Sequence, residues 1–406
     1  MPKLPPCFNS FENPIIMSPV DFSTRRRFLM HLAHGTALAV LPGELLSENA
    51  VLPPPHAPKV ENGIAWFDVQ SWGVEGRGWA SEAMDRFYAR LPGKARGVVR
   101  EPVWNLSQHS AGMLTRFRTD AQEIHVRYKL TSANLDMPHM PATGVSGIDL
   151  YAMDEKAHWR WVDVFRPGNS KTGDSLSQSG KLTSGLDHAN RVFSAYLPLY
   201  NGIDSLEFGV AEKSKFEPIS PRRLKPIVFY GTSITHGACA SRPGMCHTAI
   251  LGRMLDRPVI NLGFSGNGTM DPEVGALLTE VDAAAYVIDC LPNMEAKQVA
   301  ERTVPLVQLI RQVRSETPII LVEDRTYANA WIRRSSRERH ETSRSALIHA
   351  YDTLVEAKVG HLHYLKGDDL LGRDDEGTTD GSHPNDLGFV RQSEVFAPVL
   401  RQALGS

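Results

Sequence analysis

The sequence has few cysteines, little net charge and no long apolar run, and each shortage excludes a class of protein. Its 406 residues carry a formal net charge of -2, so it lacks the basic excess of a nucleic-acid binder. No apolar stretch reaches the roughly 20 residues of a membrane-spanning helix, so no stable membrane insertion is expected. With 42% apolar and 22% charged residues, the composition is that of a globular protein, and the length suits two domains and a leader.

The first 50 residues predict an export signal. Residues 25–29 read Arg-Arg-Arg-Phe-Leu and precede a weakly apolar stretch that ends at Leu41, which resembles a twin-arginine signal. A basic amphipathic helix is the alternative interpretation. Met17 is a second candidate for the true start, and cleavage is expected near Ala50. Export places the protein in the periplasm, or outside the cell in a host without an outer membrane.

The four cysteines do not fit a disulfide framework. Cys7 lies in the predicted leader, which leaves an odd number: Cys239, Cys246 and Cys290. Cys239 and Cys246 are close enough in sequence to pair, but free thiols are favoured, and Cys290 is expected in the core. No CxxC pair or HExxH motif is present, so no metal site is predicted.

The N-terminal half predicts an antiparallel β-sandwich of the jelly-roll type. Residues 51–62 are rich in proline and are predicted to be a linker. Residues 63–212 then carry short alternating runs separated by turn residues, as in Glu123–Leu130. A connector with Pro218 and Pro221 follows over residues 213–225.

From residue 226 to 406 the rhythm changes to alternating strands and helices. The apolar strand candidates are Ile227–Tyr230, Val259–Leu262, Ala285–Asp289, Ile319–Val322 and His361–Leu365. The helix candidates between them are Thr248–Leu255, Glu273–Glu280, Ala296–Arg314 and Ser336–Ala357. This alternation predicts a parallel, three-layer α/β domain.

The first of these strands leads to a candidate nucleophile. The apolar run ends in Gly231-Thr232-Ser233, which predicts that Ser233 lies in a tight turn at the carboxyl edge of the sheet. α/β proteins usually build their sites at this edge. An ordinary strand-to-turn connection explains the same residues equally well.

A base for the serine is available after the last predicted strand. Serine is a poor nucleophile unless a neighbouring group takes its proton. Asp380 and His383 are three residues apart, so they can bond to each other while the other ring nitrogen of His383 faces Ser233. Taken alone, these residues also fit a solvated turn.

Two further segments could donate hydrogen bonds to an oxyanion. The glycines of residues 261–268 allow backbone N–H groups to approach a ligand closely. This run could instead cradle a phosphate, but it lacks the Lys-Ser/Thr of a P-loop and the GxGxxG spacing. Asn293 offers a side-chain amide after the third strand, or it caps the helix that follows.

In order, these blocks resemble the SGNH (GDSL-like) hydrolases: a Gly-x-Ser turn, a glycine-rich turn, an asparagine and a final Asp-x-x-His. The resemblance covers about residue 226 to the C-terminus and implies a flavodoxin-like fold. It implies that Ser233 is the nucleophile, His383 the base and Asp380 its orienting partner.

The same resemblance implies an oxyanion hole made of the N–H groups of Ser233 and Gly266 and the side-chain amide of Asn293. Two blocks depart from the family pattern. Threonine precedes the serine where the family often has aspartate, and residues 291–294 lack the usual Gly-x-Asn-Asp. In the N-terminal half, Gly147–Tyr151 is similar to the GxDLY signature of a β domain that precedes some bacterial SGNH esterases.

By resemblance, the predicted function is a serine esterase that removes short acyl groups, acetyl in particular, from carbohydrate through an acyl-enzyme and without a cofactor. The expected partner is a small-molecule or oligosaccharide ester. A lipid or aryl ester hydrolase of the same fold and a non-catalytic glycan-binding protein are the alternatives. His109 and Arg325 are candidates for lining the substrate site, although a salt bridge explains Arg325 equally well.

Tryptophans are the candidates for stacking against sugar rings. Those considered lie in the N-terminal and central parts of the chain: Trp66, Trp72, Trp79, Trp104, Trp159 and Trp161. Burial in a hydrophobic core is the commoner fate of tryptophan, so core packing is the favoured interpretation.

Overall fold

The structure is a computed structural model that describes residues 57–79, 81–168 and 174–405. All of these residues fall in one compact unit of the chain, residues 47–406. The predicted export signal and the linker residues before 57 lie outside the described residues. Among the residues that are described, no helix combines the length and apolar character needed to cross a bilayer.

The N-terminal half forms two antiparallel sheets. Their strands are β1 (Lys59–Glu61), β2 (Ile64–Asp68), β3 (Leu114–Thr119), β4 (Glu123–Leu130), β5 (Asp149–Met153), β6 (Trp159–Val164), β7 (Ser177–Ser184), β8 (Arg191–Tyr196), β9 (Ile203–Ala211) and β10 (Phe216–Ile219). One sheet has the order β1-β2-β9-β4-β7 and the other β10-β3-β8-β5-β6. Strand β1 therefore begins inside the stretch predicted to be linker (51–62), and β10 inside the predicted connector (213–225).

The two sheets share one hydrophobic core. Along β4, alternate residues from Ile124 to Leu130 are buried, as expected for a strand with one wet face. Phe117 of β3 and Phe208 of β9 meet between the sheets, with ring centroids 4.8 Å apart. The predicted antiparallel sandwich is confirmed.

The C-terminal half contains a five-stranded parallel sheet. Its strands are β11 (Ile227–Gly231), β12 (Val259–Gly263), β13 (Ala285–Asp289), β14 (Ile319–Val322) and β15 (Leu362–Leu365). The order is β12-β11-β13-β14-β15, and all pairs are parallel. Counted within this sheet, the order is 2-1-3-4-5, which is the flavodoxin-like order. The predicted fold class is confirmed.

Helices cover both faces of this sheet. The α-helices of the described chain are α1 (Glu101–Ser107), α2 (Ala142–Val145), α3 (Ser233–His236), α4 (His247–Met254), α5 (Pro272–Glu280), α6 (Ala296–Val313), α7 (Arg334–Glu356) and α8 (Asp386–Leu404). Helices α5, α6 and α7 share one core with Val228 and Tyr230 of β11, whereas α4 and α8 share another with Ile227 and Phe229. Because both faces of β11 are covered, its sequence is a continuous apolar run.

The chain between β2 and β3 does not pack with the sandwich alone. Leu91, Val103 and Trp104 lie in the same core as α5, α6 and α7. Trp79 joins that core and donates from Nε1 to Glu280 of α5 at 2.8 Å. Part of the stretch predicted as sandwich (63–212) thus packs against the parallel sheet.

The carboxyl ends of three strands lie side by side. Gly231, the last residue of β11, is level with Gly263 of β12 on one side and Asp289 of β13 on the other. The chain leaves β11 toward β12 and later returns to β13 on the opposite side, so β11 is the topological switch point of the sheet. Residues that directly follow these strands therefore converge on one place.

Candidate active site

Strand β11 delivers Ser233 to this edge of the sheet. All residues of the strand are buried, and α3 begins at Ser233. The hydroxyl of Thr232 accepts the N–H of Ile234 at 3.2 Å, which caps the helix and fixes the turn. A side chain at position 231 would collide with Thr235 and with the carbonyl of Asp289, so only glycine permits this turn. Ser233 is 7% exposed.

Ser233, His383 and Asp380 form one hydrogen-bonded chain. The Oγ of Ser233 lies 2.8 Å from Nε2 of His383, and Nδ1 of His383 lies 2.7 Å from Oδ2 of Asp380. A carboxylate can only accept, so Nδ1 carries a proton and Nε2 is left to accept the serine proton. The structure brings together the three residues that the sequence places in one constellation.

The turn that carries His383 is fixed by its own backbone. Oδ1 of Asp380 accepts the N–H groups of Ser382 and His383 at 3.0 and 2.8 Å. The backbone oxygen of His383 accepts the hydroxyl of Thr378 at 2.8 Å. Asp380 is thus held on both carboxylate oxygens, one by the turn and one by the imidazole.

These contacts decide the charge of Asp380. Partial burial raises the pKa of its carboxyl, but the two N–H groups and the His383 ring outweigh burial, so the pKa lies below its ordinary value. Asp380 is therefore ionised at neutral pH. An ionised Asp380 favours the ring tautomer that the serine requires.

The candidate oxyanion donors follow the ends of the three neighbouring strands β11, β12 and β13. The glycine-rich loop, residues 264–271, follows β12 and includes Gly266, which is exposed and has a φ of 68°. Among the described residues, no hydrogen-bond partner is found for the N–H of Gly266 or of Ser233. Their role as oxyanion donors stays a prediction.

Asn293 lies in a short turn directly after β13. In the amide orientation that satisfies both ends of the side chain, Oδ1 accepts the N–H groups of Asn267 and Gly268 at 3.0 and 3.1 Å. The alternative role, capping α6, falls to Glu295, which forms a capping box with Gln298.

His109 contacts the last residue of the nucleophile's helix, His236. Its Nδ1 is 3.4 Å from Nε2 of His236, and the ring of His236 stacks on Tyr200. Tyr200 donates to the backbone oxygen of Ser233 at 3.3 Å. Burial, with help from the cation of Arg90, lowers the pKa of His109 to about 3, so its ring is neutral. Contact between His109 and a substrate stays a prediction.

The prediction that Arg325 lines the substrate site is wrong. Its side chain is fully buried and binds both carboxylate oxygens of Asp289, with Nη2 and Oδ2 at 2.7 Å. Its Nε donates to Gln392 of α8 at 2.9 Å. A long polar side chain after a strand at the site edge suggests a surface residue, but here it satisfies a buried carboxylate.

The described cysteines are free and buried: Cys239, Cys246 and Cys290. The structure therefore agrees with the expected free thiols and with Cys290 in the core. Burial raises the pKa of Cys246 to about 11, which keeps it protonated at neutral pH.

The most exposed large apolar side chains of the described chain are absent from the sequence-based candidates. Trp331 is 73% exposed and Ile332 71% exposed, on the loop between β14 and α7. This loop contacts the histidine turn, because the N–H of Ala328 donates to the carbonyl of Gly381 at 3.0 Å. The sequence feature that could have identified Trp331 is its position after a predicted parallel strand, at the edge of the sheet where α/β proteins form their sites.

Two family models match the chain. The GDSL-like lipase/acylhydrolase family matches residues 224–401. The GxDLY model, described as the N-terminus of SGNH-hydrolase-type esterases, matches residues 64–216. No curated protein matches this chain.

Solved structures resemble most of this chain. A GDSL-like lipase from Bacteroides ovatus is 31% identical with a TM-score of 0.79, over 84% of this chain and 98% of that one. A salicylyl-acyltransferase from a tetracycline biosynthetic pathway has a TM-score of 0.59 at 17% identity, over 88% and 97% of the two chains. A family two carbohydrate esterase from Clostridium thermocellum, bound to cellohexaose, has a TM-score of 0.50 at 14% identity, over 72% and 92%. The last two likenesses show the fold alone.

Proposed function

Because the chain belongs to the GDSL-like lipase/acylhydrolase family, we propose that it is a serine esterase that removes short acyl groups, acetyl above all, from carbohydrate. One observation carries the catalytic part. The hydroxyl of Ser233 lies 2.8 Å from a ring nitrogen of His383, whose other nitrogen is 2.7 Å from the carboxylate of Asp380. This arrangement supplies a nucleophile, a base and the group that orients the base.

The reaction follows in two steps. Ser233 Oγ attacks the ester carbonyl carbon while Nε2 of His383 takes its proton, and the carbonyl oxygen becomes an oxyanion. Collapse of this intermediate breaks the carbon–oxygen bond to the alcohol, which leaves with the proton from His383. Water then attacks the acyl-serine, with His383 again as base, and the carboxylic acid and free Ser233 are regenerated.

The proposed mechanism assigns stabilisation of the oxyanion to three hydrogen-bond donors. The N–H groups of Ser233 and Gly266 have no hydrogen-bond partner among the described residues, and the side-chain amide of Asn293 is the third proposed donor. Such pre-organised donors stabilise the charge that develops in the transition state more than they stabilise the substrate.

The surface beside the histidine turn supports a carbohydrate as the alcohol part of the ester. Trp331 and Ile332 are exposed at this edge of the sheet, and a flat aromatic ring suits the apolar face of a sugar. The carbohydrate esterases among the structures of the same fold are consistent with this substrate class. An aryl or lipid ester would use the same apolar surface, so the experiment must separate these substrates.

The experiment is hydrolysis of p-nitrophenyl acetate, butyrate and octanoate by the purified chain and by Ser233→Ala, followed by release of acetate from acetylated oligosaccharides. We expect activity that is lost in the variant, falls with acyl length and extends to the acetylated oligosaccharides. A rate that rises with acyl length would favour a lipid ester. Equal rates for the two proteins would remove Ser233 from the mechanism.

Export to the periplasm or cell surface is part of the proposal, and it depends on residues 1–50. The arginine pair Arg25-Arg26 is the feature that a twin-arginine route reads. Changing both to lysine keeps the charge, so a purely electrostatic signal would survive. We expect the lysine variant to stay in the cytoplasm in a cell fractionation, and the unchanged chain to leave it.

A further inference from the structure

The glycine-rich loop is held by an arginine from the other half of the chain. Arg100, directly before α1, donates from Nη1 to Oδ1 of Asn267 at 2.7 Å and from Nη2 to the backbone oxygen of Asn267 at 2.9 Å. Its Nε donates to Oδ2 of Asp271 at 2.9 Å. One guanidinium therefore spans the loop from Asn267 to Asp271, a geometry that the planar fork of arginine allows and lysine does not.

Asn267 is held from the opposite side as well. Its N–H donates to the carbonyl of Phe264 at 2.8 Å, and in the amide orientation given above Oδ1 of Asn293 lies 3.0 Å from the same nitrogen. Arg100 holds the side chain and the carbonyl of this residue, while Phe264 and Asn293 hold its N–H. Asn267 directly follows Gly266, whose surroundings are open: an added Cβ would meet nothing within 4 Å. A glycine in open space changes conformation at little cost, so the contacts of Asn267 restrict the direction of the Gly266 N–H.

A second arginine from the same segment fixes the strand before the loop. Arg90 is fully buried and donates from Nη1 to the carbonyls of Asn261 and Gly263 at 3.1 and 2.7 Å. Its other nitrogens donate to the carbonyls of Leu106 and His109 at 2.6 and 3.0 Å. Burial lowers the pKa of Arg90 to about 9, which still leaves a cation at neutral pH. The end of β12 is thereby joined to the segment between β2 and β3.

We propose that Arg100 is a positioning residue for the oxyanion hole, and that the segment between β2 and β3 is in this way part of the active site. The inference rests on the proposed esterase function. Arg100 acts through Asn267, which directly follows Gly266 and so restricts the position of the Gly266 N–H. Asn267 also contacts the side-chain amide of Asn293. Losing these contacts reduces stabilisation of the transition state, because a donor that must first be ordered no longer acts from a fixed position.

Two other roles for Arg100 make different predictions. A residue that contacts the substrate affects KM, and a purely electrostatic contact tolerates lysine. If Arg100 only stabilises the fold, its substitution lowers the melting temperature and has no selective effect on kcat. A positioning residue changes kcat, and lysine restores the rate only in part.

The test compares Arg100→Gln and Arg100→Lys with the unchanged chain on p-nitrophenyl acetate. For Arg100→Gln we expect kcat to fall about 10- to 100-fold while KM stays within about twofold. Affinity for phenylboronic acid, whose tetrahedral adduct on serine mimics the intermediate, is expected to fall in parallel with kcat. For Arg100→Lys we expect both kcat and this affinity to lie between those of the unchanged chain and those of Arg100→Gln.

The control is Arg191→Gln. Arg191 is a sandwich arginine that forms a two-contact ion pair with Asp187, at 3.2 and 2.7 Å, and has no contact with the glycine-rich loop. We expect its kcat to equal that of the unchanged chain. Asn267→Ala provides a second approach from the loop side, and combining it with Arg100→Gln should give less than the product of the two single losses.

Hydrogen exchange separates this inference from the proposed function. Peptides that cover residues 264–271 should exchange faster in Arg100→Gln than in the unchanged chain or in Arg191→Gln. Faster exchange in a chain with no esterase activity would show that Arg100 orders the loop and would remove the proposed function. Unchanged exchange and unchanged kcat in an active enzyme would overturn the positioning role and leave the function intact. A rise in KM alone would assign Arg100 to substrate contact instead.

Discussion

Arg325 and Asp289 form a fully buried ion pair beneath the turn that carries the nucleophile. Both side chains are 0% exposed, and Oδ2 of Asp289 also accepts the hydroxyl of Thr235, two residues after Ser233 in α3, at 3.3 Å. Arg325 continues the connection to Gln392 of α8. The pair thus joins the ends of β13 and β14 to the helix of the nucleophile and to the helix that follows the histidine turn.

Removing one partner of this pair should be costly. Arg325→Met leaves the Asp289 carboxylate uncompensated in the core, and we expect a loss of about 3–5 kcal/mol in the free energy of unfolding, measured in urea. The double variant Arg325→Met with Asp289→Asn removes the uncompensated carboxylate charge and should recover part of that loss. A double variant no more stable than the single one would show that the charge is not the cause.

Asp380→Asn should leave the fold intact and damage catalysis. Asparagine can still accept the N–H groups of Ser382 and His383 through its oxygen, but its NH₂ would face Nδ1 of His383 as a donor. That contact favours the tautomer with the proton on Nε2. A protonated Nε2 cannot accept the proton of the Ser233 hydroxyl. We expect kcat to fall about 10²- to 10⁴-fold with a melting temperature close to that of the unchanged chain. A loss of less than about threefold would contradict the role given to Asp380.

Asp324 should make stability depend on pH. Complete burial raises the pKa of this carboxyl to about 6, well above the 3.8 of an exposed aspartate. The native state therefore holds the proton more tightly than the unfolded state, and stability is lost as the pH rises from about 4 through 6. Asp324→Asn removes this titration.

For that substitution, the quantity to measure is the difference in unfolding free energy between the unchanged chain and the variant. Between pH 4 and pH 8, the unchanged chain should lose about 2 kcal/mol of unfolding free energy relative to the variant. A difference that does not vary with pH would show that Asp324 is not protonated in the native state near pH 5.

Trp331→Ala tests the surface beside the histidine turn. If the ring stacks on the sugar, KM for acetylated oligosaccharides should rise about tenfold, which corresponds to about 1.4 kcal/mol, while KM for p-nitrophenyl acetate changes little. Trp161→Ala is the matched control, because Trp161 is a half-exposed tryptophan of the sandwich. Equal effects of the two variants would speak against a specific role for Trp331.

The parallel sheet is the part of the fold that the sequence predicts best. Each of its strands begins and ends within one residue of the predicted range. Strands β11, β13 and β14 are buried along their whole length and are therefore nearly continuous apolar runs. Helix α8 is absent from the prediction, since Gln392 and Ser393 occupy buried positions on its inner face and Pro398 lies within it. Gln392 can be buried because Arg325 donates to it, and no local pattern reports such a partner.

The sandwich is predicted as a class but not strand by strand. Strand β10 contains Pro218, and it is tolerated because β10 lies at the edge of its sheet. Strand β7, Ser177–Ser184, is mostly polar and also lies at an edge, so it has neither an apolar run nor a strict alternation.

For the site, local motifs identify Ser233, Asp380 and His383, since each follows a recognisable strand or turn. Arg90 and Arg100 are not identified from the sequence, because their partners on β12 and the glycine-rich loop lie more than 160 residues away along the chain. A lone arginine in an irregular stretch carries no local sign of such a partner.

The packing of the segment between β2 and β3 also limits how this protein can be divided. Trp79, Leu91, Val103 and Trp104 fill the core of the parallel sheet although they belong to the N-terminal half of the sequence. A chain cut within residues 213–225 would separate α5 and α6 from part of their apolar cover. The two halves are therefore not interchangeable modules. An SGNH domain could be joined to a different sandwich only together with the residues that complete its core. Recombination at the connector would leave both halves with incomplete packing.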